Sequence, residues 1–161
     1  MNGKAFDNPV VSRFTVYYLR WALRAAFLSG IASRFGLYGP NVGYGSFANF
    51  IKATADVNAF MPAFTIPFLA WTATVAELLL GLALIVGLWP RWVAFASAIL
   101  LLLFGTAMAI SHGIKDPLDY SVFSASAGAL LLALYQPKPE INHEIQIHQT
   151  TNRLPVTPSK S

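Results

Sequence analysis

Glu77 is the residue whose type and position most suggest chemistry, because it interrupts the apolar run Val75-Ala-Glu-Leu-Leu-Leu80. A lone carboxylate in the middle of a bilayer costs at least ~2.5 kcal/mol, so Glu77 must be paired, neutral or open to a water-filled cavity. Arg20 and Arg24 are spaced to share one face of a preceding helix. At 1.5 Å per residue, Arg24 lies ~15 Å from Phe14 and Glu77 ~18 Å from Trp89, which predicts similar depth. Glu77, Arg24 and Arg20 are therefore the expected intramembrane polar site, able to hold a quinone headgroup, a proton or an anionic substrate. The same residues also fit a buried ion pair that only fixes helix register, with Arg20 snorkelling to the interface.

A second group, His112, Lys115, Asp116 and Asp119, falls at the end of an apolar run. It reads either as an outer-face contact for a partner or as ordinary interfacial charge. Bis-histidine haem needs two imidazoles within the spans, and His112 is alone there. His143-Glu144-Ile-Gln-Ile-His148 falls short of a zinc-protease helix, whose histidines must be four apart to share a face. No metal site is expected. The chain has no cysteine, which excludes thiolate nucleophiles and dithiol relays. No glycine-rich phosphate loop follows a strand pattern. The basic residues flank apolar runs rather than forming a stripe, so nucleic acid is not expected as a partner.

The elements that must position these groups are apolar. Charged residues are 11% of the chain, against about 25% in ordinary soluble domains. Between Asp56 and Lys115 only Glu77 and Arg91 are charged, too few to give each element a polar outer face. The expected fold is all-α: a transmembrane four-helix bundle, with spans at about 14–36, 67–89, 92–112 and 120–135. Arg20 and Arg24 break the apolar core that a cleaved leader would need, so the first run reads as a span. Trp89-Pro90-Arg91 combines an interfacial aromatic, a helix stop and a charge, making spans two and three antiparallel neighbours. Between spans one and two, Phe47, Phe50, Ile51 and Val57 recur at helical spacing. They predict a short amphipathic helix, lying on the membrane surface or capping the bundle.

A segment 1–13 and a flexible tail 137–161 flank the 14–136 membrane domain. Lys and Arg outside the spans number six on the side of the termini (Lys4, Arg13, Arg91, Lys138, Arg153, Lys160) and three opposite (Arg34, Lys52, Lys115). The positive-inside rule therefore places both termini in the cytoplasm. Trp21, Trp71, Trp89, Trp92 and Tyr135 suit an interfacial aromatic belt. Small residues four apart, such as Ala94/Ala98 and Gly105/Ala109, allow close helix packing or a homo-oligomer interface.

Arg20 with Phe27-Leu28, the Gly30 to Arg34 stretch, Glu77-Leu-Leu-Leu-Gly81-Leu-Ala-Leu and Gly87-Leu-Trp-Pro-Arg91 resemble the DoxX family of small four-span membrane proteins. Gly113-Ile114, Pro117 and Tyr120-Ser-Val-Phe123 are similar to the turn into the last span of some members. The resemblance covers about residues 17–135. It implies a multi-pass protein of a bacterial inner membrane. It further implies a membrane subunit or anchor of a redox complex, quinone-linked and with a redox protein as partner, rather than a self-sufficient enzyme. Two alternatives stay open: a small-solute or proton transporter, and a structural or assembly protein.

Overall fold

The computed structural model describes residues 9–135, with side chains from residue 13 onward. The expected terminal segment up to residue 8, the tail 137–161 and the His143/His148 pair lie outside the described residues. Every regular element described is helical. The order is α1 (Pro9–Arg34), α2 (Phe47–Val57), a 3-10 turn (Ala63–Thr65), α3 (Ile66–Val86), α4 (Pro90–His112), α5 (Lys115–Asp119) and α6 (Val122–Leu134). Two helical segments, Ala63–Val86 and Pro90–His112, are long and apolar enough to cross a membrane. At 1.5 Å per residue, α4 is about 35 Å long.

The turns follow from local residue chemistry. Gly87 ends α3 in the left-handed conformation (φ 78°), with its N–H and that of Leu88 both donating to the Ala83 carbonyl. Pro90 then opens α4, where a missing N–H costs nothing. The polar segment between α4 and α6 contains the single helical turn α5. Pro117 sits inside it fully buried, and the Tyr120 N–H closes it on the Asp116 carbonyl. Ser46 caps α2, its Oγ accepting from the Asn49 N–H at 3.2 Å.

Contacts between helices join α1 to α3, α3 to α4, α4 to the shorter α6, and α6 to α1. The α4–α6 contact is the most extensive, and small residues make it so. Ala94, Ser97, Ala98 and Gly105 on α4 face Ser126, Ala129 and Ala133 on α6, letting the backbones approach. Ser126 Oγ donates to the Ala98 carbonyl at 2.8 Å. At Gly105 a Cβ would stand 2.8 Å from the Phe123 ring, so only glycine fits unaltered. Large apolar residues elsewhere face outward, Val86 at 69% and Leu103 at 60% exposure, an outer surface suited to lipid rather than water.

Helix α2 is not a free surface helix. Phe50 and Thr54 are buried, α2 packs on α3 and α4, and the Val57 carbonyl accepts from Ser111 Oγ on α4 at 2.7 Å. Helix α2 thus packs against α3, α4 and α1.

Candidate functional site

The stripe of α3 that faces inward is Ile66, Ala70, Thr74, Glu77, Gly81 and Leu84, a period that keeps one helix face buried. Opposite it, α1 runs antiparallel. A Cβ on Gly30 would lie 3.3 Å from Glu77 Oε2, and one on Gly81 would meet Phe27 and Leu28. The two glycines thus mark where the helices come closest, and they fix the register: Gly30 beside Glu77, Phe27 beside Gly81.

In this register the partner of Glu77 is Arg34. Arg34 Nη2 donates to Glu77 Oε1 at 2.6 Å, and Nη1 donates to Thr74 Oγ1 at 3.1 Å. Both charged side chains are 5% exposed. Thr74 passes the contact on, its Oγ1 donating to the Ala70 carbonyl at 2.8 Å. The Arg34 guanidinium lies 3.9 Å over the Phe50 ring of α2, a cation–π contact that covers the pair. Its Nε is buried with no hydrogen-bond acceptor.

The expected pairing of Glu77 with Arg24 is therefore corrected, and the reason is directional. Helical side chains lean toward the N-terminus of their helix. Arg34 thus leans back from the end of α1 toward the middle, and Glu77, on the antiparallel α3, leans toward Arg34. Arg24 leans toward the N-terminus of α1 as well, which carries it away from Glu77, and it stands six residues, about 9 Å, before Gly30 along the axis. Counting depth from Phe14 also misplaced the register, since α1 is already helical at Pro9. Arg24 instead stacks on Trp21, 5.1 Å from the ring centroid. Arg20 and Arg24 have buried Nε atoms without acceptors, and neither reaches Glu77.

An aromatic cap closes over the pair. Phe47 contacts Phe35 (5.6 Å), Phe50 (5.8 Å) and Trp71 (4.4 Å between centroids), while Tyr44 meets Phe50 edge-on at 5.0 Å. The 35–46 loop is bound to α1: Ser33 Oγ accepts from the Tyr44 N–H at 2.9 Å, and the Tyr38 hydroxyl donates to Ser29 Oγ at 3.2 Å. Its folding needs Gly45 (φ 65°), where a Cβ would stand 2.0 Å from the Pro40 carbonyl oxygen. Burial pushes the Tyr44 phenol above its ordinary value; the Arg34 guanidinium opposes this, while Glu77 and Tyr120 reinforce it.

The expected outer-face group is resolved into two exposed pairs one turn apart. His112 Nδ1 lies 3.1 Å from Asp116 Oδ2, and Lys115 pairs with Asp119. Neither pair touches the Arg34–Glu77 centre. Among the described residues no group of three or more His, Asp or Glu is placed to hold a metal.

Sequence reasoning missed Arg34, Thr74, Tyr44 and Phe50. Arg34 ends the apolar run and so reads, in sequence, as a loop charge. Two signals could have found it: the lean of helical side chains, and Gly30, a residue small enough to admit a carboxylate.

A family model described as methylamine utilisation protein MauE matches residues 12–119, about two thirds of the chain. The chain belongs to the MauE family. This overturns the DoxX resemblance, which rested on motifs that many apolar helical hairpins share. Gly87 is a helix stop and Pro90 a helix start, and Glu77-Leu-Leu-Leu-Gly81 is one buried stripe position with a close-packing glycine. The thiosulfate and quinone associations implied by that resemblance lose their support with it. No curated protein and no solved structure matches the chain. By its description the MauE family is linked to methylamine utilisation, and the two apolar helices of this member fit a membrane protein.

Proposed function

We propose that this chain is an integral inner-membrane accessory protein of methylamine utilisation, serving a redox protein of that system rather than catalysing a reaction alone. The observation that carries this reading is the MauE match over residues 12–119 on a chain whose central helices are long and apolar enough to span. In it, α1, α3, α4 and α6 form a transmembrane four-helix bundle with α2 and α5 on the outer side and both termini in the cytoplasm. The α6 helix has 13 residues, about 20 Å, and crosses with the help of its flanking segments. Charge supports the orientation. With Arg34 committed to Glu77, only Lys52 and Lys115 remain on the outer side against six basic residues on the other.

The working part in this reading is the Arg34–Glu77–Thr74 centre beneath the aromatic cap. A guanidinium whose Nε has no acceptor, beside a carboxylate, is a donor–acceptor pair that a partner segment or small polar ligand can engage once α2 moves. It connects to the end of α4 through α2, which covers Arg34 with Phe50 and whose Val57 carbonyl accepts from Ser111 beside His112, and so to the face that a periplasmic partner would meet.

Deletion of the coding sequence in its host tests the proposal. Growth on methylamine should be lost, growth on ammonium should be unaffected, and reintroduction of the chain should restore the former. Unchanged growth on methylamine would refute the reading.

A further inference from the structure

Charge is divided unevenly between the two ends of the helices. Among the described residues, the end holding the start of α1 and the α3–α4 turn carries Arg13, Arg20, Arg24 and Arg91 and no carboxylate. Asp56, Asp116 and Asp119 lie at the other end, and Glu77 is occupied by Arg34. Arg20 and Arg24 take no carboxylate or carbonyl partner among the described residues, and both Nε atoms are enclosed without an acceptor. Guanidinium groups remain charged at any physiological pH, so a pair of them at the edge of hydrocarbon is stabilised by an anion.

Their height follows from the α1–α3 register. Stepping back from Phe27 beside Gly81 puts Arg24 level with Leu84 and Arg20 level with the Gly87–Leu88 turn. Arg20 is thus at the boundary and Arg24 one turn, about 6 Å, inside it. Because α1 side chains lean toward its N-terminus, both guanidiniums extend to the boundary. Between them Trp21 carries Arg24 on its ring and is itself 64% exposed, flanked by the exposed Tyr17 and Tyr18. Exposed aromatic faces around an arginine pair suit the headgroup region, where ring bodies meet acyl chains and N–H or O–H tips meet water.

We propose that Arg20, Arg24 and Trp21 form a binding site for the phosphate of an anionic phospholipid in the leaflet facing the α3–α4 turn. Two arginines on one helix face, their backbone positions about 6 Å apart along the axis, can turn both guanidinium forks to the non-bridging oxygens of a single phosphodiester. The additional negative charge of the lipid matches an end with no carboxylate among its described residues. The inference rests on the membrane-spanning reading, and the experiment separates the two.

The full chain, purified in mild detergent, is titrated with phosphatidylglycerol and with phosphatidylcholine, and bound lipid is counted by native mass spectrometry. Wild type should prefer phosphatidylglycerol, and Arg20→Gln/Arg24→Gln should lose that preference by about five-fold per arginine, or about 25-fold together. Lys52→Gln/Lys115→Gln removes the same charge from the other end and should keep the preference; Arg20→Lys/Arg24→Lys, which keeps the charge, should keep most of it. Equal occupancy by the two lipids in wild type, or a preference unchanged in Arg20→Gln/Arg24→Gln, overturns the site. Displacement of phosphatidylglycerol by millimolar inorganic phosphate also overturns it, by showing a free anion to be the ligand. A chain that washes from membranes in alkaline carbonate refutes the spanning reading itself. A chain that stays embedded without lipid preference refutes only the lipid site.

Discussion

Removing either member of the Arg34–Glu77 pair should be far more damaging than removing both. The contact is 2.6 Å long and both side chains are 5% exposed. At an effective dielectric near 20, that separation corresponds to about 6 kcal/mol of attraction, set against several kcal/mol per ion for leaving water. The net worth of the intact pair is therefore small. A single substitution is another matter, because it strands the remaining charge. Glu77→Leu leaves Arg34 with only Thr74 and the Phe50 face, and a guanidinium cannot shed its charge. A cost of about 3–5 kcal/mol is expected. Arg34→Met should cost somewhat less, because a stranded carboxyl can take a proton. Arg34→Met/Glu77→Leu should return to within about 1 kcal/mol of wild type, since matched apolar volume replaces a pair that roughly broke even. Reversible unfolding in mixed micelles, followed by tryptophan fluorescence, gives all four corners of the cycle. If the double variant loses the sum of the single losses to within about 0.5 kcal/mol, the pair is not coupled and the reasoning fails.

Gly105→Ala forces the Phe123 ring to shift and should cost about 1–3 kcal/mol, with Phe123→Leu recovering most of it in the same unfolding assay. Gly45→Ala meets the Pro40 carbonyl at a positive φ, so the 35–46 loop should open and become sensitive to limited proteolysis while α3 and α4 stay protected. Because the folded state holds Tyr44 neutral above its ordinary phenol value of about 10, its contribution is complete below that pH. It is lost as pH rises through the higher folded value, so stability should fall above pH ~10 and fall less in Tyr44→Phe, measured by melting temperature against pH. The chain contains no cysteine, so single cysteines at Val42 and Leu88 can be labelled without background; impermeant maleimide should reach them from opposite sides of the membrane.

The architecture was largely legible because hydrophobic patterning and helix punctuation are local. The scarcity of charge between Asp56 and Lys115 announced the long apolar helices, and Gly87 and Pro90 announced the hairpin between them. Helix α5 was less visible, since Lys115-Asp-Pro-Leu-Asp119 has the composition of a turn and is held as a helix by burial of Pro117. The site was half legible. Glu77 stood out because an intramembrane carboxylate is costly wherever it sits. Its partner did not, because pairing depends on the register of two helices joined by more than thirty residues. Register is set by close approach at Gly30 and Gly81, a tertiary property. The aromatic cap was hidden for the same reason: α2 showed its amphipathic period, but nothing local says that Phe50 lands on Arg34.

The Arg34–Glu77 centre is either needed for methylamine utilisation or needed only for folding. Growth on methylamine of a deletion strain carrying Arg34→Met/Glu77→Leu separates the two, with membrane abundance followed by immunoblot. The variant chain should be present in the membrane at near wild-type level and no longer support growth on methylamine. Wild-type growth from that variant would contradict this expectation, reducing the pair to a device that sets the register of α1 against α3.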